Sequence, residues 1–354
     1  MSRKDYFSIG AIQPEVYYCE NRKQIYEKNM KRHLELLDTL VPYWSGLIGA
    51  PCKLVAFPEF GIQGYPQKED GSWDGMTISI PGEETDMLSK AAKKLGVYIA
   101  AHAWEEYPDF PGRPFSVAFL INPDGEVILK QHKVVTTKIL ESGDTAPSDA
   151  YDWFVQKFGD GLDAFFPVAE TELGKIGFVI CGDGTYPEVS RGLMMNGAEI
   201  LIRPNAWVEP WMTEPQDIMA LCSRYNAFAN MCYLLESNWA YYYGPCGWIK
   251  DSGAGKCQVI DYVGRVLART YATCESGVAA EINMQSLRRH REEAQFAARM
   301  AFMPTYIFKK IYETELWPKN SLMKKTNSNT IQDWDKLRRE VIERRRDIYT
   351  PSED

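Results

Sequence analysis

"GFVICGDGTYPE", residues 177–188, changes character at its midpoint. An apolar run from Ile176 to Ile180 reads as a buried strand, and it stops at Cys181. Gly182, Asp183 and Gly184 then read as a turn, and the turn leads into a helix. In α/β proteins the carboxyl end of a strand is where ligands bind. The free N–H groups and positive end of the following helix favour a thiolate and can donate to an oxyanion. Gly182 and Gly184 would let backbone come close to a substrate. Cys181 is thus a candidate nucleophile, set against the commoner fate of a lone cysteine in an apolar strand, an inert core residue. Asp183 either orients a substrate N–H or holds the turn through backbone.

A nucleophilic thiol needs a base. The four histidines (33, 102, 132 and 290) have no sequence setting that suits the task. "KLVAFPEFGIQGYP" repeats the design of the cysteine strand, with a buried run ending at Glu59. A carboxyl partly desolvated there could exchange protons near neutrality; the plain alternative is a solvated strand-end carboxylate. "EVILKQHKVV" ends a third strand and carries Lys130 and Lys133, either of which could stabilise a thiolate or an oxyanion. Surface exposure is the usual fate of lysine.

The rest of the chain follows one grammar twice. "YFSIGAIQP" is an expected strand, followed by a helix over "NRKQIYEKNMKRHLELLDTLVPYW" that Pro42 helps to close. "EETDMLSKAAKKLG" is an expected helix between the strands "CKLVAFPEF" and "VYIAAHAWEEY", and "PFSVAFLINPDGEVILKQHKVV" an expected pair of strands around a Pro-Asp-Gly turn. After the cysteine strand come a helix, the strand "EILIRPNAW", a helix over "PQDIMALCSRYNAFANM", one strand over "CYLLESNWAYYY", and a hairpin. Strands alternating with helices and hairpins predict one α/β domain over residues 1–285 with internal pseudo-symmetry and mixed sheets. Residues 286–354 are too polar for a core of their own. They read as a C-terminal extension packing on the domain or, through Tyr306, Phe308, Tyr312 and Trp317, on a neighbouring subunit.

Composition narrows the class further. A net charge of −8 argues against non-specific nucleic-acid binding. No run approaches the ~20 apolar residues that span a bilayer, and the start of the chain carries no secretory pattern. The eight scattered cysteines, without a CxxC, point to free thiols in a reducing, cytoplasmic setting. No HExxH or paired Cys/His spacing suggests a metal site. "DSGAGKCQVI" lacks the spacing of a phosphate loop.

Taken together, "AFPEFGIQGYP", "LKQHKVV" and "VICGDGTYPE" resemble, in order, the three motifs of the nitrilase superfamily of carbon–nitrogen hydrolases, over roughly residues 6–285. The resemblance implies a four-layer αββα sandwich with two central mixed sheets, assembling as a homo-oligomer. It implies Glu59 as general base, Lys133 (preferred to Lys130 because it stands just before Val134-Val135) as oxyanion-stabilising lysine and Cys181 as nucleophile. Glu141 would be the second glutamate, eight residues past the lysine. "CGDGTYPEVSRGLMMNGAEILIR" is similar to the aliphatic amidase and formamidase branch, which implies a small aliphatic amide as substrate and no cofactor. N-carbamoyl compounds, hydrazides and nitriles are the alternatives for the same triad, and a non-enzymatic interaction protein on the same fold is the remote one. Gly182, Thr136 and Thr137 depart from the branch pattern and alter the pocket wall. Trp207, in "RPNAWVEP", and Tyr65 would be opposite walls of that pocket, with Gly182 and Asp183 beside the thiol. Glu188 is expected to cap its helix or to pair with Arg191, with a direct role toward substrate as the alternative.

Overall fold

The computed structural model describes residues 6–65, 73, 75–136, 138, 143–209, 212, 214–215, 217–246, 249–294, 299–322 and 330–349. The first part of the chain contributes strands β1 (Tyr6–Gln13), β2 (Val16–Tyr17), β3 (Cys52–Ala56), β4 (Tyr98–Glu105), β5 (Phe115–Ile121) and β6 (Val127–His132). The second contributes β7 (Ala169–Thr171), β8 (Gly174–Phe178), β9 (Ile200–Pro204), β10 (Tyr233–Ser237), β11 (Tyr241–Cys246), β12 (Ile249–Gly253), β13 (Gln258–Ile260), β14 (Val266–Arg269) and β15 (Ser276–Asn283). One mixed sheet has the order β15-β1-β3-β4-β5-β6 and the other β14-β13-β10-β9-β8-β7. In each, three central strands are parallel (β1, β3, β4 and β8, β9, β10) and the outer ones antiparallel.

Side-chain alternation explains why the two sheets stack and why each carries helices outside. On β4, Tyr98 and Ala100 face the same apolar cluster as Phe178, Ile200 and Leu235 of the other sheet, while Ile99, Ala101 and Ala103 face Leu37 and Leu88 of the outer helices. On β9, Ile200 and Ile202 face inward and Leu201 faces Val189, Leu193 and Ala227 of the helices Pro187–Met195 and Ile218–Asn230. A period of two with both faces apolar requires a cover on each side, and four layers supply it.

Two expectations about elements are corrected. The first long helix does not close at Pro42: it runs over Lys31–Ile48, after a π-helical turn at Ile25–Met30, and ends at Gly49, whose φ is 75°. Pro42 sits on the exposed face, while Trp44, two residues on, is buried against β1 and β15. A Cβ at Gly10 or Gly277 would lie 2.4 Å or 2.6 Å from the Trp44 ring, so these glycines open its slot. Burial of that ring offsets the ~3 kcal/mol that an interior proline costs. "CYLLESNWAYYY" is likewise two strands. β10 lies in the second large sheet, and β11 in a small sheet of order β12-β11-β2. The chain turns between them because Asn238 is held by the carbonyls of Trp207 and Gly255, both at 2.9 Å, and Ala240 N–H donates to Pro14.

The extension docks at Asn320 and Ser321 and through its last long helix. Asn320 N–H donates to Ser148 O at 2.8 Å and Ser321 Oγ donates to buried Asp149 at 2.7 Å. In the helix Ile331–Arg344, Trp334, Leu337 and Val341 are buried. Trp317 packs on Trp334, but Tyr306, Phe308 and Tyr312 stay exposed on the single chain. No helix among the described residues is long and apolar enough to cross a membrane.

Candidate active site

The parallel strands β3 and β8 each carry a candidate residue just past the carboxyl end. Three residues beyond β3, Glu59 is fully buried; one beyond β6, Lys133 is nearly so. Lys133 Nζ donates to Glu59 Oε1 at 2.8 Å. A charge pair so deep in the protein gains in strength from the low dielectric and depends on good geometry to offset its desolvation. Lys130 is turned elsewhere: it pairs with Glu105 at 2.5 Å and donates to Ile80 O.

Cys181 begins a 3₁₀ turn, Cys181–Thr185, and is buried with 6% exposure. Its φ is 43°, the left-handed region, which costs a non-glycine residue about 1–2 kcal/mol. Asp183, two residues on, is completely buried, and its two oxygens accept the N–H groups of Val135 (2.8 Å) and Val134 (3.3 Å). The turn that begins at Cys181 is therefore bonded to the backbone that follows Lys133. Burial pushes the Asp183 carboxyl up to about 7, against the pull of those two N–H groups and of the Lys133 ammonium. Asp183 has the place of a strut between two strand ends.

Gly184 has a different reason from the one its sequence suggested. A Cβ there would lie 2.4 Å from Arg203 Cζ, so the position makes room for a guanidinium rather than for a substrate. Arg203, on β9, is fully buried and was not singled out from sequence; an arginine inside the apolar run "EILIRP" was the available signal.

Tyr65 is buried in an aromatic cluster with Phe60, Trp73, Trp104 and Trp239. Trp207 is half-buried and packs against both this cluster and the apolar cluster that contains Cys181. Trp207 thus bridges the aromatic cluster of Tyr65 and the apolar cluster of Cys181, while Gly182 and Asp183 are buried in the cysteine turn. Glu141 and Thr137 lie outside the described residues. Glu188 accepts from Tyr312 Oη at 2.5 Å instead of pairing with Arg191, whose guanidinium is drawn to Ala229 O and Met300.

The histidines near the site are structural in their contacts. His102 Nδ1 accepts the Phe60 N–H at 3.3 Å, which leaves Nε2–H to donate to Ser116 Oγ at 2.7 Å. Burial, helped by the Lys133 charge, holds its pKa well below the ordinary value. Burial also lowers His132, which meets Tyr107 Oη, to about 3. Among the described residues, no group of three or more His, Cys, Asp or Glu side chains could hold a metal ion.

Comparison with known proteins adds the family. A carbon–nitrogen hydrolase family model matches residues 9–292. A formamidase of Bacillus cereus (strain AH820) is 31% identical over 278 residues, covering 78% of this chain and 74% of the relative. In three dimensions the chain is similar to a carbon–nitrogen hydrolase from Helicobacter pylori G27, with a TM-score of 0.69 and 20% identity, over 88% of this chain and 100% of that one. An amidase from Nesterenkonia sp. superposes with a TM-score of 0.59 at 17% identity, over 85% and 98%.

Proposed function

From a chain that belongs to the carbon–nitrogen hydrolase family, and is an enzyme acting on carbon–nitrogen bonds other than peptide bonds, we propose an amidohydrolase that converts a small aliphatic amide to carboxylic acid and ammonia through a thioester on Cys181. The buried Lys133–Glu59 pair beside the cysteine turn carries the reading, because it sets a proton acceptor and a fixed cation together at the thiol's strand end. The formamidase relative makes formamide the first amide to try.

The steps follow from the groups. Glu59 takes the proton of Cys181, and sulfur attacks the amide carbon. The oxyanion is held by the Gly182 N–H and the Lys133 ammonium, each donor being worth ~3 kcal/mol in comparable sites. Glu59 returns the proton to the leaving nitrogen, the C–N bond breaks and ammonia departs. Glu59 then takes a proton from water, the hydroxide displaces the thiolate from the thioester, and the thiol recovers that proton as the acid leaves.

Ammonia release from formamide, acetamide and propionamide tests this, with N-carbamoyl compounds and nitriles (ammonia) and hydrazides (hydrazine) as competing arms. We expect turnover of an amide, a Cys181 peptide whose mass rises by the acyl group, and no turnover by Cys181→Ala at unchanged thermal stability. Wild-type turnover by folded Cys181→Ala would overturn the assignment.

A further inference from the structure

Behind the nucleophile lies an arginine for which the proposed chemistry has no step. Arg203 is fully buried on β9, and its guanidinium forks onto a single oxygen: Nη2 donates to the Cys181 carbonyl at 2.9 Å and Nε at 3.2 Å. Its third nitrogen, Nη1, donates to Ser223 Oγ at 2.5 Å and Met219 O at 2.8 Å. Buried Glu236 stands 3.8 Å away as countercharge and is itself held by Asn205 and Gln258. The charge has therefore been paired and the side chain locked from three sides. Gly184 lacks a side chain where the guanidinium passes beneath the turn.

The carbonyl that Arg203 grips belongs to the same peptide unit as the Gly182 N–H. A trans peptide is planar, so its C=O and N–H point in opposite directions. Fixing the oxygen on Arg203 therefore fixes the direction of the N–H, away from Arg203. A cation on the oxygen also draws charge through the conjugated amide and strengthens the N–H as a donor, as hydrogen bonds in a chain polarise one another. The same grip restrains Cys181 in its left-handed conformation, where its φ is 43°.

We propose that Arg203 is a positioning residue for the amide reaction: through the Cys181 carbonyl it aims and polarises the Gly182 N–H toward the oxyanion. The proposal rests on the amidohydrolase reading above. Arg203 touches no reacting atom, so its effect belongs to the step in which an oxyanion forms. Alkylation of the thiol by iodoacetamide attacks a saturated carbon and forms no oxyanion.

Those two reactions, measured side by side on wild type, Arg203→Lys, Arg203→Met and Ser223→Ala, give the test. For Arg203→Met we expect kcat for the amide to fall roughly 100-fold with KM within about threefold, as for loss of an oxyanion donor. Arg203→Lys keeps the charge but not the fork and is expected to recover part of the loss, to roughly tenfold below wild type. Ser223→Ala, which frees the far nitrogen, should cost about threefold. Throughout, the rate and pH profile of Cys181 alkylation, followed on its own peptide, should stay within about threefold of wild type. If Arg203→Met does not fold, Arg203→Lys and Ser223→Ala decide by the same split. Folded Arg203 variants with kcat within twofold of wild type would overturn the proposal, and so would alkylation that falls in step with turnover. Should the wild type itself release no ammonia from any amide, the functional reading fails first and this one with it.

Discussion

β3 and β8 both run out into a left-handed residue that is not glycine: Phe60, just past Glu59, has φ 64°, and Cys181 itself has φ 43°. The backing differs. Behind Glu59, the neutral ring of His102 accepts the Phe60 N–H. Behind Cys181, the charged guanidinium of Arg203 donates to a carbonyl. Glu59, the proposed base, already has a cation, the Lys133 ammonium 2.8 Å from its carboxylate, and that ammonium helps keep His102 uncharged. A second positive charge there would repel the first in a low-dielectric site. At the cysteine turn the proposed negative charge is that of the oxyanion, and a cation on the Cys181 carbonyl strengthens the Gly182 N–H that would receive it. One backbone device thus recurs at the two ends of the proposed reaction, and the sign of the charge behind it follows the charge expected in front.

Removing the carboxylate should show the largest effect on this contrast. Glu59→Gln keeps the shape and an acceptor oxygen but cannot carry a proton, so kcat should fall by roughly 10²- to 10⁴-fold. Cys181 should remain alkylated by iodoacetamide, because its own backing is intact. Ammonia release together with peptide mapping measures both; a Gln variant within tenfold of wild type would remove Glu59 from its proposed role.

How far the site could be read without coordinates follows the same divide. Glu59 and Cys181 stood out as candidates because each closes an apolar run, whereas Lys133 was preferred to Lys130 only through the resemblance; the structure pairs Lys133 with Glu59 and Lys130 with Glu105. The sheets were legible for the same reason: alternation on β4 and β9 announces two apolar faces. The supports were harder to see. His102 lies inside a strand and gains its role from a loop 42 residues away in sequence, and Arg203 reaches back 22 residues to a carbonyl. Neither contact has a local pattern. Pro42 misled because its cost is local while the gain, Trp44 seated over Gly10 and Gly277, is tertiary. Tyr312, on the charged extension, took Glu188 from Arg191 for a similar reason: partners brought by tertiary structure outcompete those at helical spacing.

The neutral backing offers the next test. His102→Gln retains a carbonyl that can accept the Phe60 N–H, whereas His102→Leu leaves that buried donor unsatisfied at a cost of about 1–3 kcal/mol. We expect roughly tenfold lower kcat for Leu and a milder loss for Gln. Stability against pH checks the protonation state. His102 is held neutral in the folded protein, while in the unfolded chain it takes a proton below about pH 6.5. Its contribution to stability is therefore present above that pH and lost as the pH falls. The urea midpoint of His102→Gln should decline less steeply than that of wild type between pH 6.5 and 5. Equal slopes would mean that the ring is charged in the fold.

Asp183 ties the two ends together, and its prediction has the smallest amplitude and the opposite sign. Its folded pKa of about 7 lies above the ~3.9 of an unfolded aspartate, so between those values the folded protein holds a proton that the unfolded chain releases. The resulting stability is complete at low pH and is lost as the pH rises through 7. From pH 6.5 to 8 the buried histidines add a slope of opposite sign near the lower limit, but it is common to wild type and Asp183→Asn, so the difference between the two isolates this carboxyl. Across that interval wild type should lose ~1 kcal/mol of urea stability on its account. Asp183→Asn, which cannot ionise, should lose none of it. Because the Asn oxygen can accept one of the two valine N–H groups but its NH₂ cannot accept the other, the strut is weakened rather than cut, and kcat should drop only a few-fold. The same slope in Asp183→Asn would place the titration elsewhere, and a fall in kcat as deep as that of Glu59→Gln would make Asp183 a participant in the chemistry and not its brace.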